Sequence, residues 1–206
     1  MTRYKNIIYD LGGVILNLDL QRTANAFRNL GFENFDDVYG QLKQSAIFDR
    51  FDKGLITEND FRNALAVHLP AGTLHTEIDN AWNAMLLDLP EERIRFLEEI
   101  KNTHRIFLLS NTNEIHVKAF STYLKQTFGF SDFNHIFQTV YYSCRIGMRK
   151  PDREVFDWVL SQNQLKASET LFIDDSPQHV EGALQAGIGG LWLRNGISIT
   201  DPDIYQ

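Results

Sequence analysis

Four short stretches of this chain carry residues with the chemistry of a reactive site: Asp10-Leu11-Gly12-Gly13, Ser110-Asn111-Thr112, Arg149-Lys150-Pro151-Asp152 and Asp174-Asp175-Ser176-Pro177. Each also has a plain structural use. Asp-x-Gly starts turns, Ser110 caps a helix, Lys150 serves as a solvated loop cation, and Asp-Asp-Ser-Pro opens a helix. Together they supply a carboxylate, a hydroxyl with an amide, a lysine and two more carboxylates, the set needed to handle phosphate with a divalent cation. Three crowded carboxylates repel one another unless a hard, oxygen-seeking ion such as Mg²⁺ sits among them. Lys150 adds a second positive charge, and Ser110 with the helix N-terminus behind it offers donors to phosphate oxygens. Asp10 is then free to attack phosphorus and form an aspartyl-phosphate.

These stretches all follow apolar runs that read as strands or open the helices behind them. Tyr4 to Asp10 is a short apolar strand that delivers Asp10 onto a glycine turn, where an ionised carboxylate is costly unless something pairs with it. Four further runs read as buried strands: Arg105 to Leu109, the weaker Ile136 to Tyr141, Thr170 to Ile173, and Gly190 to Leu193. Between them lie helical patterns. Pro90-Glu91-Glu92 opens one in which Ile94, Leu97 and Ile100 recur at helical spacing, and Glu114 to Lys125, Pro151 to Gln162 and Pro177 to Ala186 are the others. The alternation predicts an α/β fold, a parallel sheet sandwiched by helices, in which ligands gather at the carboxyl ends of the strands.

Residues 18–87 break that alternation and read as a helical insertion after the first strand, leaving 1–17 and 88–206 as the α/β core. Thr57 caps a helix with Phe61, Leu65 and Leu69 on one face, and Ile78, Trp82, Met85 and Leu86 form a second stripe. Phe48 to Gly54 mixes aromatics and charges beside a glycine. It reads either as an interhelical turn or as a loop over a cavity, in which case Phe48, Arg50, Phe51 and Lys53 are candidate specificity residues.

Composition sets the limits. A chain of 206 residues with fifteen Phe, seven Tyr and three Trp can bury a sizeable core, and its formal charge of −7 disfavours nucleic-acid or anionic-membrane partners. The single cysteine, Cys144, excludes an internal disulfide and suits a reducing compartment. With no signal-like N-terminal pattern and no run of about 20 apolar residues, the expected location is the cytoplasm.

The four motifs, in this order, resemble those of haloacid dehalogenase superfamily phosphatases across essentially the whole chain. Asp10-Leu11-Gly12-Gly13-Val14 is similar to the first motif, Ser110-Asn111-Thr112 to the second, Gly147 to Asp152 to the third and Phe172 to Ser176 to the fourth. The helical insertion resembles the C1-type cap of that superfamily. The resemblance implies a Rossmann-like core with Asp10 as nucleophile and Ser110, Asn111 and Lys150 at the phosphoryl group. It further implies Mg²⁺ held by Asp10, the Gly12 backbone carbonyl and Asp174 or Asp175, and a small phosphorylated metabolite as substrate.

One departure bears on mechanism. Most phosphatases of the superfamily carry an acid/base Asp two residues after the nucleophile, and here that residue is Gly12. A missing proton carrier removes about 10² to 10⁴ in rate. A branch that includes bacterial α-D-glucose-1-phosphate phosphatase is similar to this chain in having Asp-Leu-Gly-x-Val, and glycosyl phosphates have better leaving groups than simple alkyl esters. His179 departs too, where relatives often carry Asp or Asn; it reads as a solvated helix residue, as a donor to an acidic metal ligand or as a substitute proton carrier. The other histidines, His116 among them, read as surface or packing residues. Rival functions are a metal-free dehalogenase using the same aspartate, a phosphomutase, and a catalytically weakened binder of a phosphorylated ligand or partner.

Overall fold

The computed structural model describes residues 4–33, 35, 37, 39–40, 46–194 and 196–205. Five parallel strands form one sheet: β1 (Asn6–Tyr9), β2 (Arg105–Ser110), β3 (Thr139–Tyr142), β4 (Thr170–Asp174) and β5 (Gly189–Trp192), in the spatial order β3-β2-β1-β4-β5. Strands β1 and β4 are buried along their whole length. Their alternating side chains feed two cores. Ile7, Tyr9, Ile106, Leu108, Leu171 and Ile173 face one layer, while Ile8, Phe107, Leu109 and Phe172 face the other.

Helices cover both faces. Residues Ile94, Leu97 and Ile100 of one helix (Glu91–Ile100) and Val117, Phe120 and Leu124 of another (Glu114–Phe128) join the first core. Val155, Phe156 and Val159 (helix Arg153–Asn163) and Ala183 (helix Pro177–Gln185) join the second. The two edge strands depart from the sequence reading. The weaker run is strand only over Thr139–Tyr142, because Ile136 and Phe137 follow a 3-10 turn at Phe133–His135 and are buried in the first core. The last strand is half-buried over its first three residues, exposed at Trp192 and not fully enclosed, since only β4 flanks it.

The strand order fixes where a ligand can bind. From central β1 the chain builds outward through β2 and β3, then returns to β1's other side with β4. At such a reversal the two flanking connections leave on opposite faces, opening a crevice at the strands' carboxyl ends. Asp10 directly follows β1, and Asp174 ends β4.

Helices at Leu20–Asn29, Ile47–Asp52, Glu58–Ala66 and His75–Asn83 occupy the segment between β1 and Glu91. They share an aromatic cluster containing Phe27, Phe51, Phe61, Ile78 and Trp82, into which Ile115 of the Glu114–Phe128 helix also inserts. Thr57 caps its helix in a reciprocal box with Asp60, and Phe61 and Leu65 are buried as their spacing predicts; Leu69 lies past the helix end. The chain enters and leaves this segment side by side. Asn17 N–H donates to Asp88 O at 3.0 Å, Leu87 N–H to Asn17 O at 3.0 Å, and Asp19 N–H to Met85 O at 2.9 Å. Cys144 is half-buried beside Glu114, and burial pushes its thiol up to about 12, so it is chemically quiet.

Candidate active site

The four polar stretches meet at the mouth of that crevice. Lys150 is fully buried, with Nζ 2.7 Å from Asp10 Oδ1 and 2.7 Å from Asp174 Oδ2. Burial alone would drive the ammonium to give up its proton, but the two carboxylates outweigh it and hold Lys150 above the ordinary lysine value. Burial also pushes Asp174 up, yet Lys150 and His179 together hold it below the usual carboxylate range. For Asp10 the balance falls the other way. Burial dominates, the pull of Lys150 is second, and the repulsion of Asp174 adds to burial, leaving Asp10 at about 7. Asp175 is likewise raised by burial and by Asp174.

One lysine is therefore insufficient for these acids. Oxygen atoms of Asp10, Asp174 and Asp175 lie within 4.8 Å of one another. That donor set of three carboxylates, with two members raised by mutual repulsion and lost water, fits a hard divalent cation. Asp174 is already well used: its oxygens accept from Lys150, from Ser176 N–H at 2.7 Å and from His179 Nδ1 at 3.0 and 3.1 Å. His179 is thus a partner of an acid and not a solvated helix residue. Trp192 Nε1 donates to Asp175 O at 2.9 Å and fixes the backbone that carries the third carboxylate.

The glycine turn after Asp10 is set by close approach. Gly13 has φ +72°, and a Cβ there would fall 2.1 Å from Asp175 Oδ2, so only glycine fits. Gly12 is different, because its backbone does not require glycine and a Cβ would meet Leu18 Cδ1 at 2.6 Å. Leu18, from the entry to the helical segment, fills the space that a side chain at position 12 would occupy.

Ser110 is buried at the cavity wall with no protein partner for its hydroxyl among the described residues. Asn111 is placed differently from the expected phosphate contact. Its Nδ2 donates to Lys150 O at 2.8 Å and its Oδ1 accepts from Lys150 N–H at 2.9 Å, so the amide side chain ties the end of β2 to the lysine loop.

A cavity of about 520 Å³ extends from Asp10 beneath the helical segment. The stretch Phe48 to Gly54 is largely the helix Ile47–Asp52 and not a loop. Helical spacing puts Phe48, Asp49 and Asp52 on the cavity side. Phe51 instead stacks on Phe61 in the aromatic cluster at 4.1 Å, Lys53 pairs with Asp49 and Asp152, and Arg50 is exposed outside the cavity. Sequence reading also missed Asn113, His116 and Arg149 as cavity residues. Arg149 was signalled by its place beside Lys150; its Nη1 donates to Asp49 at 2.7 Å. Burial pushes Asp52 up to about 6 against the attraction of Arg149 and a hydrogen bond from Asn113.

Comparison with known proteins agrees with this geometry. The family model described as haloacid dehalogenase-like hydrolase matches residues 7–192. D-ribitol-5-phosphate phosphatase of Bacteroides thetaiotaomicron is 26% identical over 192 residues, covering 93% of each chain. A sesquiterpene phosphatase of Aspergillus oryzae is 26% identical over 202 residues, covering 96% of this chain and 93% of that one. A solved family enzyme of Bacteroides thetaiotaomicron, in complex with magnesium and inorganic phosphate, superposes with a TM-score of 0.86 at 30% identity over 98% of this chain and 100% of its own. With motifs, sheet order and family match in agreement, the chain belongs to the haloacid dehalogenase-like hydrolases.

Proposed function

We propose that this chain is a Mg²⁺-dependent phosphatase that hydrolyses a small phosphorylated metabolite of the sugar or sugar-alcohol kind through a covalent phosphate on Asp10. The observation that carries this reading is the buried Asp10–Lys150–Asp174 triad with Asp175 beside it, opening onto a cavity large enough for a metabolite. The relatives add weight, since D-ribitol-5-phosphate phosphatase and a sesquiterpene phosphatase are among them and a solved neighbour was crystallised with magnesium and phosphate.

Asp10, Asp174 and Asp175 would hold the metal, with the Gly12 carbonyl as a further oxygen. When bound, Mg²⁺ neutralises the carboxylates and a phosphoryl oxygen. Asp10 attacks phosphorus as the bond to the leaving oxygen breaks, and water then cleaves the aspartyl-phosphate to regenerate Asp10 and release phosphate. Lys150 and Ser110 hold the phosphoryl oxygens through both steps. Gly12 gives the leaving oxygen no carboxylic acid, so that oxygen takes its proton from water. Residues 18–87 act as the lid, with its paired entry and exit near Leu18 and Leu86 as the hinge. A metal-free carbon–halide hydrolase would have little use for Asp174 and Asp175 together.

Phosphate release from a metabolite panel tests the reading: release that vanishes in chelator is expected, and no metal-dependent release from any ester would sink it. A second measurement needs no substrate. Mg²⁺ at 100 times its dissociation constant stabilises the folded chain by about 2.7 kcal/mol. For a chain of this size that raises the melting temperature by roughly 5 to 10 °C, and the gain is expected to vanish in Asp175→Asn with Asp10→Asn.

The absent acid gives another prediction. Gly12→Asp combined with Leu18→Ala, which clears the 2.6 Å approach, is expected to raise kcat for a simple alkyl phosphate about 10-fold or more. The gain should be smaller for a glycosyl phosphate, whose leaving group needs less help. Gly12→Asp alone should gain less, because Leu18 must first be displaced.

A further inference from the structure

The far part of the cavity carries a polar group that the phosphoryl chemistry does not use. His116 is 7% exposed, and its ring stacks on Trp82 at 5.2 Å with an interplanar angle of 8°. Its Nδ1 lies 2.8 Å from Asn83 Oδ1, and an amide oxygen only accepts, so Nδ1 carries the proton. Burial depresses the imidazole to about 3, which keeps it neutral and leaves Nε2 with a bare lone pair. No described residue donates to that atom, while the ring forms part of the cavity wall. The neutral ring is thus placed as an acceptor open to a ligand.

Asp52 supplies a second acceptor on the same wall. Its Oδ1 takes the Asn113 Nδ2 hydrogen bond at 3.3 Å, and its Oδ2 has no donor among the described residues. Of the other polar groups nearby, Asn113 Oδ1 accepts from His116 N–H and Trp82 Nε1, and Arg149 Nη1 donates to Asp49 while its buried Nε has no partner among the described residues. Among the described residues the wall therefore offers these acceptors, the amphoteric Tyr39 hydroxyl and a single cation, Arg149, which Asp49 and Asp52 outnumber. Such a wall receives uncharged donors and repels a carboxylate or a second phosphate. Phe48 and Trp82, stacked on each other at 5.5 Å, add apolar ring edges to the same wall. His116 is the third residue of the helix that follows Ser110, and both line the same cavity.

We propose that His116 Nε2 and Asp52 form a hydroxyl-binding subsite that selects a neutral polyhydroxyl monophosphate over esters of hydrocarbon, carboxylated or doubly phosphorylated alcohols. This rests on the phosphatase reading for its catalytic half. A hydrocarbon chain would leave both acceptors buried without donors, the situation that hydrogen-bonding sites punish most.

The test compares kcat/KM for a pentitol phosphate and for p-nitrophenyl phosphate on the Mg²⁺-loaded chain. His116→Phe keeps the stack on Trp82 and deletes the acceptor. It is expected to lower the ratio of the two values by about 10- to 100-fold, mainly through KM for the pentitol ester. Asp52→Asn, which keeps the shape, is expected to lower the ratio about 10-fold. A ratio unchanged within about twofold in both variants, or a wild-type chain that prefers a hydrocarbon, carboxylated or aminoalkyl phosphate, would overturn the proposal. Calorimetry of the pentitol phosphate on Asp10→Asn, with and without His116→Phe, reads the subsite without turnover. About tenfold weaker binding in the double variant is expected, and equal affinity would overturn it. A chain that binds with this discrimination yet releases no phosphate from any ester would end the phosphatase reading and keep the subsite.

Discussion

Asp10→Asn is expected to abolish Mg²⁺-dependent phosphate release, by about 10⁴-fold or more, while the chain folds and still binds phosphate. The substitution keeps shape and hydrogen-bonding capacity but removes the nucleophilic oxygen at the centre of the site. Folding should survive because Lys150 keeps Asp174 as a 2.7 Å partner and because Asp10 was itself held at about 7 by burial. Initial rates with a coloured ester, together with a thermal melt in chelator, check both halves. Beryllofluoride with Mg²⁺ should trap on the wild-type chain and not on the variant, and phosphate binding retained by the variant separates loss of the nucleophile from loss of the pocket. A variant with a tenth of wild-type activity would show that Asp10 does not carry the phosphoryl group.

Asp10 could be found from sequence because its chemistry is local: a strand long enough to be recognised stops at a carboxylate and a glycine turn. The same holds for Ser110, Lys150 and Asp174, each at a boundary where a hydrophobic run ends or a helix begins. The central strands were legible for a related reason. Strands β1, β2 and β4 are enclosed on both faces, so Ile7 to Tyr9, Ile106 to Leu109 and Leu171 to Ile173 are continuous apolar runs. Edge strands β3 and β5 are half-exposed and lack that signature, and the run at Ile136 extended into residues that bury themselves outside the sheet. Helix Ile47–Asp52 spans fewer than two turns, too short for its period to declare itself. Its cavity face, Phe48, Asp49 and Asp52, therefore reads from sequence only as part of an interhelical turn or loop of mixed aromatics and charges. His116 was invisible for a deeper reason. Its acceptor character is made by Asn83 and Trp82, which lie more than thirty positions away and reach it only in the folded chain.

Lys150→Met is expected both to stop turnover and to weaken the fold, which distinguishes it from Asp10→Asn. The methionine matches the lysine's bulk, so packing against Phe172, 5.3 Å from the ammonium, is largely kept. What is lost is the cation between two buried carboxylates. Breaking a buried pair from one side costs about 3 to 5 kcal/mol, which for a chain of this size lowers the melting temperature by on the order of 10 °C. The loss should depend on pH in a stated direction. In the metal-free wild-type chain Asp174 is held below its unfolded value by Lys150 and His179; its contribution is present above about pH 4 and disappears as pH falls through the folded pKa. Asp10 is raised to about 7, so its contribution is present below its unfolded value and is lost as pH rises through about 7. Removing Lys150 takes away the first and pushes Asp10 higher still. The gap between variant and wild type in chelator should therefore be widest near pH 8 and narrow toward pH 5, where the carboxyls take up protons. Added Mg²⁺ should narrow it at pH 8, since a dication among Asp10, Asp174 and Asp175 replaces the missing charge without replacing the hydrogen bonds. Melts at the two pH values, with and without Mg²⁺, read this directly. A gap that is equal at both, or that widens on acidification, would mean that Lys150 acts through packing and not through its charge.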